Sequence, residues 1–173
     1  MIFIETKLKG AFIIEHERLK DERGFIARSW CQNEFKEHGL NERLVQCNIS
    51  FNKAAGTLRG VHFQVPPGEE AKSVRCTMGA IYDVIIDLRK DSSSYSIFVL
   101  PLNLEIDECC KSLKGSPKVY ITLMDNTEMY YHTTKFYHPE LAFGVRYDGP
   151  TFGIEWPIEV EDISQQDREW PDF

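Results

Sequence analysis

Hydrophobic and polar residues alternate along most of this chain, and the clearest run is 81–88. Tyr82, Val84, Ile86 and Leu88 fall on one face of a strand, with Ile81, Asp83, Ile85 and Asp87 on the other. The first face reads as core. The second mixes carboxylates with aliphatic groups, as the interior of a barrel holding a site would. Similar patterns predict strands over 11–17, 25–31, 44–51, 57–64, 72–78, 95–101, 118–124, 128–136 and 143–147. Turn signals separate them at Asp21-Glu22-Arg23-Gly24, Ala54-Ala55-Gly56, Pro66-Pro67-Gly68 and Met78-Gly79. Many short strands at this spacing predict an all-β sandwich or barrel. A short helix is expected over 33–38, capped by Asn33 and ended by Gly39. The stretch 159–173 has helical or irregular character, with Ser164 a candidate cap.

Composition adds a globular chain of ordinary make-up. Its 173 residues suit one domain, 1–173, with no repeat, low-complexity tract or dividing linker. Hydrophobic residues make up 42%, enough for a core without staples. The net charge is −7 and no long Lys/Arg run occurs, which argues against a nucleic-acid partner. A few arginines converging in one pocket would still bind an anionic ligand. The five cysteines, Cys31, Cys47, Cys76, Cys109 and Cys110, are odd in number and form no Cys-x-x-Cys pair. Reduced thiols and a cytoplasmic location follow as the expectation. No stretch approaches about 18 apolar residues, and the first residues lack a basic, then apolar, leader, so neither membrane span nor signal peptide is expected.

Candidate chemistry centres on His62. On a regular strand Leu58, Gly60, His62 and Gln64 face one way and Arg59, Val61 and Phe63 the other. A strand histidine is most often structural or exposed. His62 stands out by its company: Arg59 and Lys72 lie close in sequence, and a Pro-Pro-Gly turn follows. No metal is expected, because His16, His38, His132 and His138 form no His-x-His or His-Glu-x-x-His pattern. Cys47 and Cys76 fall inside strands and read as small core residues. Glycine patterns for phosphate loops or dinucleotides are absent, and no cofactor is expected.

Several short runs occur in a telling order: Asp21-Glu22-Arg23-Gly24-Phe25, Val45-Gln46-Cys47-Asn48-Ile49-Ser50, 58–64, Lys72-Ser73-Val74-Arg75-Cys76, 83–89, Gly153-Ile154-Glu155-Trp156-Pro157 and Ser164-Gln165-Gln166-Asp167. The chain resembles the dTDP-4-dehydrorhamnose 3,5-epimerase family over nearly its whole length. The resemblance implies a metal-free, cupin-like jelly-roll barrel with short peripheral helices, a homodimer, and a nucleotide-sugar substrate. It implies His62 as catalytic base, Asp167 as the carboxylate orienting it, Lys72 as the cation near the C4 oxygen and Tyr131 as the acid on the opposite face. Imidazole suits the base because its ordinary pKa, about 6.5, lies close to neutral. It further implies substrate contacts by Arg23, Arg59, Gln46, Asn48, Phe25 and Tyr137. An unbroken strand would put Tyr131 and Tyr137 on one face. Arg59 and His62 would point to opposite faces of a perfect strand, so sharing one site requires a bulge or a position at the barrel mouth.

One departure stands out. Where the family carries Pro-x-Gly-x-Ala-His-Gly-Phe, this chain has Leu113-Lys114-Gly115-Ser116-Pro117-Lys118-Val119-Tyr120, so the family's second active-site histidine falls on Lys118. Neutral imidazole accepts a hydrogen bond and an ammonium does not. Lys118 is therefore a changed substrate-binding position, which either assists an enolate by its charge or points to solvent. The expected activity is 3,5-epimerisation of a nucleotide-activated 4-keto-6-deoxy sugar. The alternatives are epimerisation at one carbon, another nucleotide sugar, or an inactive sugar-nucleotide-binding barrel.

Overall fold

The computed structural model describes residues 1–89, 92, 108–111 and 114–173, with 108–111 as backbone only. Two antiparallel sheets face each other. The larger contains β1 (Ile2–Glu5), β2 (Phe12–Glu15), β9 (Glu108–Lys111), β7 (Lys72–Met78), β11 (Thr127–Thr133) and β5 (Gln46–Asn52), in that spatial order. The smaller runs β12 (Ala142–Gly144), β6 (Thr57–Gln64), β10 (Lys118–Thr122), β8 (Ile81–Ile85), with β13 (Asp162–Ile163) pairing parallel to β6. A separate hairpin joins β3 (Leu19–Asp21) to β4 (Gly24–Ile26). Among the described residues no strand is shared between the two large sheets, so the jelly roll is a flattened sandwich.

Among the described residues, three apolar clusters hold it together. Val74, Cys76 and Met129 of the larger sheet meet Ile81, Ile85 and Tyr120 of the smaller, closing one end of the space between them. Leu58, Val61, Val84, Val119 and Ile121 cover the outer face of the smaller sheet and pack under Phe152 and Ile163. The short helix α1 (Gln32–Glu37) sets Phe35 against Phe12 and Ile14, outside the larger sheet. Both faces of β8 are therefore buried: Ile81 and Ile85 flank Asp83 between the sheets, and Val84 lies under the C-terminal segment. The mixed face of 81–88 is indeed the inner one.

The cap of α1 differs from expectation. Cys31 is the N-cap and makes no side-chain cap bond, while Asn33 lies inside the helix. Gly39 follows the C-cap with φ +67°, the left-handed conformation that ends helices. Ser164 does cap α2 (Gln165–Glu169), its hydroxyl accepting from the Asp167 amide. The strand expected at 25–31 shrinks to β4, and that at 95–101 lies outside the described residues. The strands β1, β3, β9 and β13 were not foreseen. β9 and β13 are short and take their register from neighbours rather than from their own alternation.

One irregularity shapes everything inside. Lys118 pairs with His62 and Tyr120 with Arg59, so two steps along β10 match three along β6. This is a β-bulge, and it reverses the alternation within β6. Leu58 and Val61 both face the outer cluster, with Phe63 packed against it, while Arg59 and His62 both face inward. The facing read from a regular strand is thus corrected: the extra residue turns Arg59 onto the side of His62. Gly60 sits in the bulge with φ +138°, where a Cβ would lie 2.5 Å from the Val119 Cβ. Gly60→Ala is expected to destabilise the protein by more than about 1 kcal/mol, because both the backbone conformation and the space are denied to it. Denaturant midpoints with an unchanged slope would check this.

Candidate active site

The bulged strand opens onto a cavity of about 670 Å³ between the sheets, within the range of small-molecule sites. Arg59 and His62 from β6, Lys72 from β7, Lys118 and Tyr120 from β10, and Tyr131 from β11 line it, with Asp167 from α2. A second cavity of about 360 Å³ adjoins it and shares His62, Lys72 and Tyr131. Gln46, Asn48 and Tyr137 line the second one. Alternation on β5 puts Gln46 and Asn48 on one face, as expected, and their side chains hydrogen-bond each other at 3.2 Å. Tyr131 and Tyr137 do not share a strand, because β11 ends at Thr133; the chain folds back so that both reach the second cavity.

His62 Nε2 lies 2.5 Å from Asp167 Oδ1. The other carboxylate oxygen of Asp167 lies 3.4 Å from the Gly60 amide in the bulge, and its own amide donates to the Ser164 hydroxyl. Burial pushes the Asp167 carboxyl up, but the hydrogen bond from His62, its charge, and the Gly60 and Ser164 contacts outweigh this and hold it below its ordinary value. The imidazole is half-exposed at the cavity wall while its carboxylate partner is buried. That is the arrangement of an oriented base with a ring nitrogen left toward a ligand.

The basic groups around it are each backed by an acceptor. Lys72 Nζ lies 3.0 Å from Glu70 Oε1, and the buried Glu70 also accepts from Gln64 Nε2. Gln64 Oε1 in turn accepts from the His138 amide at 2.6 Å, tying this network to the segment that carries Tyr137. Lys118 does not point to solvent. Its side chain is 5% exposed and its Nζ is 2.7 Å from Asp83 Oδ2, which is fully buried. Arg59 Nε donates to Asn52 Oδ1 at 2.8 Å. Burial, then the neighbouring Tyr120, push the Tyr131 phenol above its ordinary value, with Arg59 opposing, so it remains protonated at neutral pH. Tyr120 is raised by burial too, and its hydroxyl meets Ser50 at 3.0 Å.

Arg23 and Phe25 are not brought into either cavity of this chain. Both are exposed on the β3–β4 hairpin, where Arg23 pairs with Asp21 at 2.6 Å and Arg18 stacks 4.7 Å over the Phe25 ring. The sequence reading missed Glu70, Gln64, Asn52 and Tyr120. Glu70 follows a turn and carries no periodic signal, whereas the strand alternation of 118–122 could have flagged Tyr120 beside Lys118. Among the described residues no group of three or more His, Cys, Asp or Glu is placed to hold a metal ion. No helix of the described residues is long and apolar enough to cross a membrane.

A jelly roll whose inner cavity gathers a carboxylate-paired imidazole, a phenol and a lysine side chain has the make-up of a cupin-type enzyme. A model of the dTDP-4-dehydrorhamnose 3,5-epimerase family matches residues 5–173, and the chain belongs to that family. It is therefore an isomerase of the carbohydrate epimerase class. The dTDP-4-dehydrorhamnose 3,5-epimerase of Methanothermobacter thermautotrophicus is 40% identical over 97% of this chain and 92% of its own length. The Bacillus anthracis enzyme of the same name, solved with TDP and PPi bound, superposes with a TM-score of 0.93 at 32% identity, covering 99% of each chain. ChmJ, a 3′-monoepimerase from Streptomyces bikiniensis solved with dTDP-quinovose, has a TM-score of 0.85 at 26% identity, over 98% of this chain and 86% of its own.

Because the folded Asp167 carboxyl titrates below the unfolded one, its pairing contributes stability above the unfolded carboxylate range near about 4 and loses it as pH falls through the folded value. Asp167→Asn is expected to be less stable than the parent at neutral pH, with the gap closing in acid. Denaturant midpoints measured from neutral pH down to the acid limit of folding would show the convergence.

Proposed function

We propose that this protein epimerises a nucleotide-activated 4-keto-6-deoxy sugar at C3 and C5, with dTDP-4-dehydro-6-deoxyglucose going to dTDP-4-dehydrorhamnose. The observation that carries this reading is the His62–Asp167 pair at 2.5 Å in a cavity also lined by Lys72 and Tyr131. The C4 ketone acidifies the protons at C3 and C5. His62 takes one of them, and the electron pair moves to the C4 oxygen as an enolate. Lys72, held by Glu70, stabilises that charge. Tyr131 then returns a proton to carbon from the opposite face, the ketone re-forms, and the centre is inverted. Asp167 keeps the His62 ring in place and stabilises the imidazolium formed when it takes the proton. Arg59, Gln46, Asn48 and Tyr137 bind the diphosphate and nucleotide, for which guanidinium and amide donors are suited.

A second reading, epimerisation at one carbon only, is favoured by one observation: Lys118, not histidine, lines the cavity. A solved relative named as a 3′-monoepimerase, ChmJ, supports its being within reach of this fold. The free thiols of Cys31, Cys47 and Cys76 suit a reducing, cytoplasmic setting.

We further propose a homodimer in which the β3–β4 hairpin of one subunit completes the site of the other. Among the described residues the hairpin's strands pair only with each other, and it exposes Leu19, Phe25 and Ile26, an apolar surface that a second copy would cover. Arg23 and Phe25 then reach the nucleotide across the interface.

Two experiments test these assignments. Incubation of dTDP-4-dehydro-6-deoxyglucose in deuterated water is expected to label both C3 and C5; label at one carbon selects the second reading, and none at either rejects epimerisation. His62→Ala should abolish labelling with the fold intact, whereas Tyr131→Phe should lose inversion more than exchange, and equal loss of both would remove Tyr131 as the acid. Mixing inactive His62→Ala with inactive Arg23→Ala subunits should restore about a quarter of the wild-type sites if Arg23 acts across a two-fold dimer. No recovery after confirmed subunit exchange would place Arg23 outside its neighbour's site.

A further inference from the structure

Gln64 ends β6 with its side chain buried, and it makes more contacts than a loop anchor needs. Its Oε1 accepts from the His138 amide at 2.6 Å. Its Nε2 faces three acceptors: the Gly68 carbonyl at 2.8 Å, the Phe136 carbonyl at 3.2 Å and the Glu70 carboxylate. A primary amide carries two hydrogens, so these acceptors share them, and a shift at one alters the bonds to the others. On one side of Gln64 lies the segment 136–138, which has left β11 and runs outside the sheets. Its backbone is held by side chains: Gln64 at Phe136 and His138, and Gln46, whose Oε1 accepts from the Tyr137 amide at 3.2 Å. On the other side lies the buried Glu70, whose second oxygen is 3.0 Å from Lys72 Nζ. Gln64, Glu70, Lys72 and Tyr137 all border the smaller cavity, and Lys72 borders the larger one as well. Satisfying the His138 amide requires only an acceptor. The donor end of Gln64 reaches further, to the carboxylate that fixes Lys72.

On the epimerase reading given above, with the nucleotide beside Tyr137, we propose that Gln64 is a positioning residue that links nucleotide binding to the placement of Lys72. A nucleotide seated against Tyr137 fixes the 136–138 backbone. That backbone grips the Gln64 amide at both ends, Gln64 fixes Glu70, and Glu70 fixes the ammonium that meets the C4 oxygen. Gln64 itself touches no reacting atom. Part of the nucleotide's binding energy is then expressed in turnover rather than in affinity.

Two double-mutant cycles test this, with deuterium wash-in from dTDP-4-dehydro-6-deoxyglucose read as kcat at saturation and as KM. The first combines Tyr137→Ala with Gln64→Met, which keeps the length of the side chain and removes both ends of the amide. The second combines Tyr137→Ala with Glu70→Gln, at the far end of the link, and decides the matter if Gln64→Met does not fold. In the parent protein, Tyr137→Ala is expected to lower kcat about tenfold as well as to raise KM, as losing a remote contact that drives turnover does. In the Gln64→Met and Glu70→Gln backgrounds, whose own kcat is already reduced, it is expected to raise KM but to change kcat by less than about twofold. A Gln64 that serves the loop alone gives losses of kcat that multiply, and multiplying losses in either folded background overturn the proposal. An unchanged kcat for Tyr137→Ala in the parent overturns it too. Parent protein that shows no wash-in overturns instead the epimerase reading on which it rests.

Discussion

The single extra residue at Gly60 is the constraint on which the interior depends. In a regular β6, Arg59 and His62 would sit on opposite faces: with Arg59 inward the outer cluster would lose Val61 and the cavity its imidazole, and with His62 inward the cluster would lose Leu58 and the cavity Arg59. The bulge satisfies both demands at once: Leu58 and Val61 stay in the apolar layer beneath Phe152 and Ile163, and Arg59 and His62 both look inward. It also brings the Gly60 amide to 3.4 Å from the Asp167 carboxylate that holds His62. The conformation required is open to glycine, and the contact with Val119 leaves no room for a side chain. A backbone feature of one strand therefore fixes an imidazole, the carboxylate paired with it and the docking of the short helix that carries that carboxylate.

The electrostatics follow a repeated plan. Each basic group in the cavity has an acceptor behind it: Asp167 for His62, Glu70 for Lys72, Asp83 for Lys118 and the Asn52 amide for Arg59. In a low-dielectric space, unbacked cations would repel one another and shed protons. Backed in this way, His62, Lys72 and Arg59 line the cavity while the resting site stays near neutrality. The Tyr131 phenol fits the same scheme, since burial and the neighbouring Tyr120 keep its proton in place.

Much of this was legible in the chain. Alternation located β6, β7, β8, β10 and β11, and the mixed face of 81–88 correctly marked the interior. The Arg59–His62 spacing announced that a bulge or a mouth position was needed, although a glycine between them could not say which. Family motifs supplied Asp167, Tyr131 and Lys72; no local pattern would have linked Asp167 to His62 across 105 residues. What stayed hidden is what depends on long-range pairing. β9 and β13 are defined by their neighbours' edges, Glu70 and Gln64 act through loop geometry, and Tyr137 reaches the site only because the chain turns after Thr133. The fate of Lys118 was undecidable because a strand lysine serves solvent or core equally well; the buried partner that settles it sits on a different strand.

On the proposed mechanism one acid–base pair serves two carbons. C3 and C5 flank the same carbonyl, so both deprotonations deliver their charge to one oxygen. A site that anchors this oxygen needs only a small pivot of the ring about the C4–O bond to offer each carbon in turn to His62 and Tyr131. On the proposed mechanism, the choice between one epimerisation and two then falls to how far the nucleotide contacts let the sugar turn. That shifts the question of specificity from the reacting centre to Arg59, Gln46, Asn48 and Tyr137, and to whatever a second subunit adds beside them.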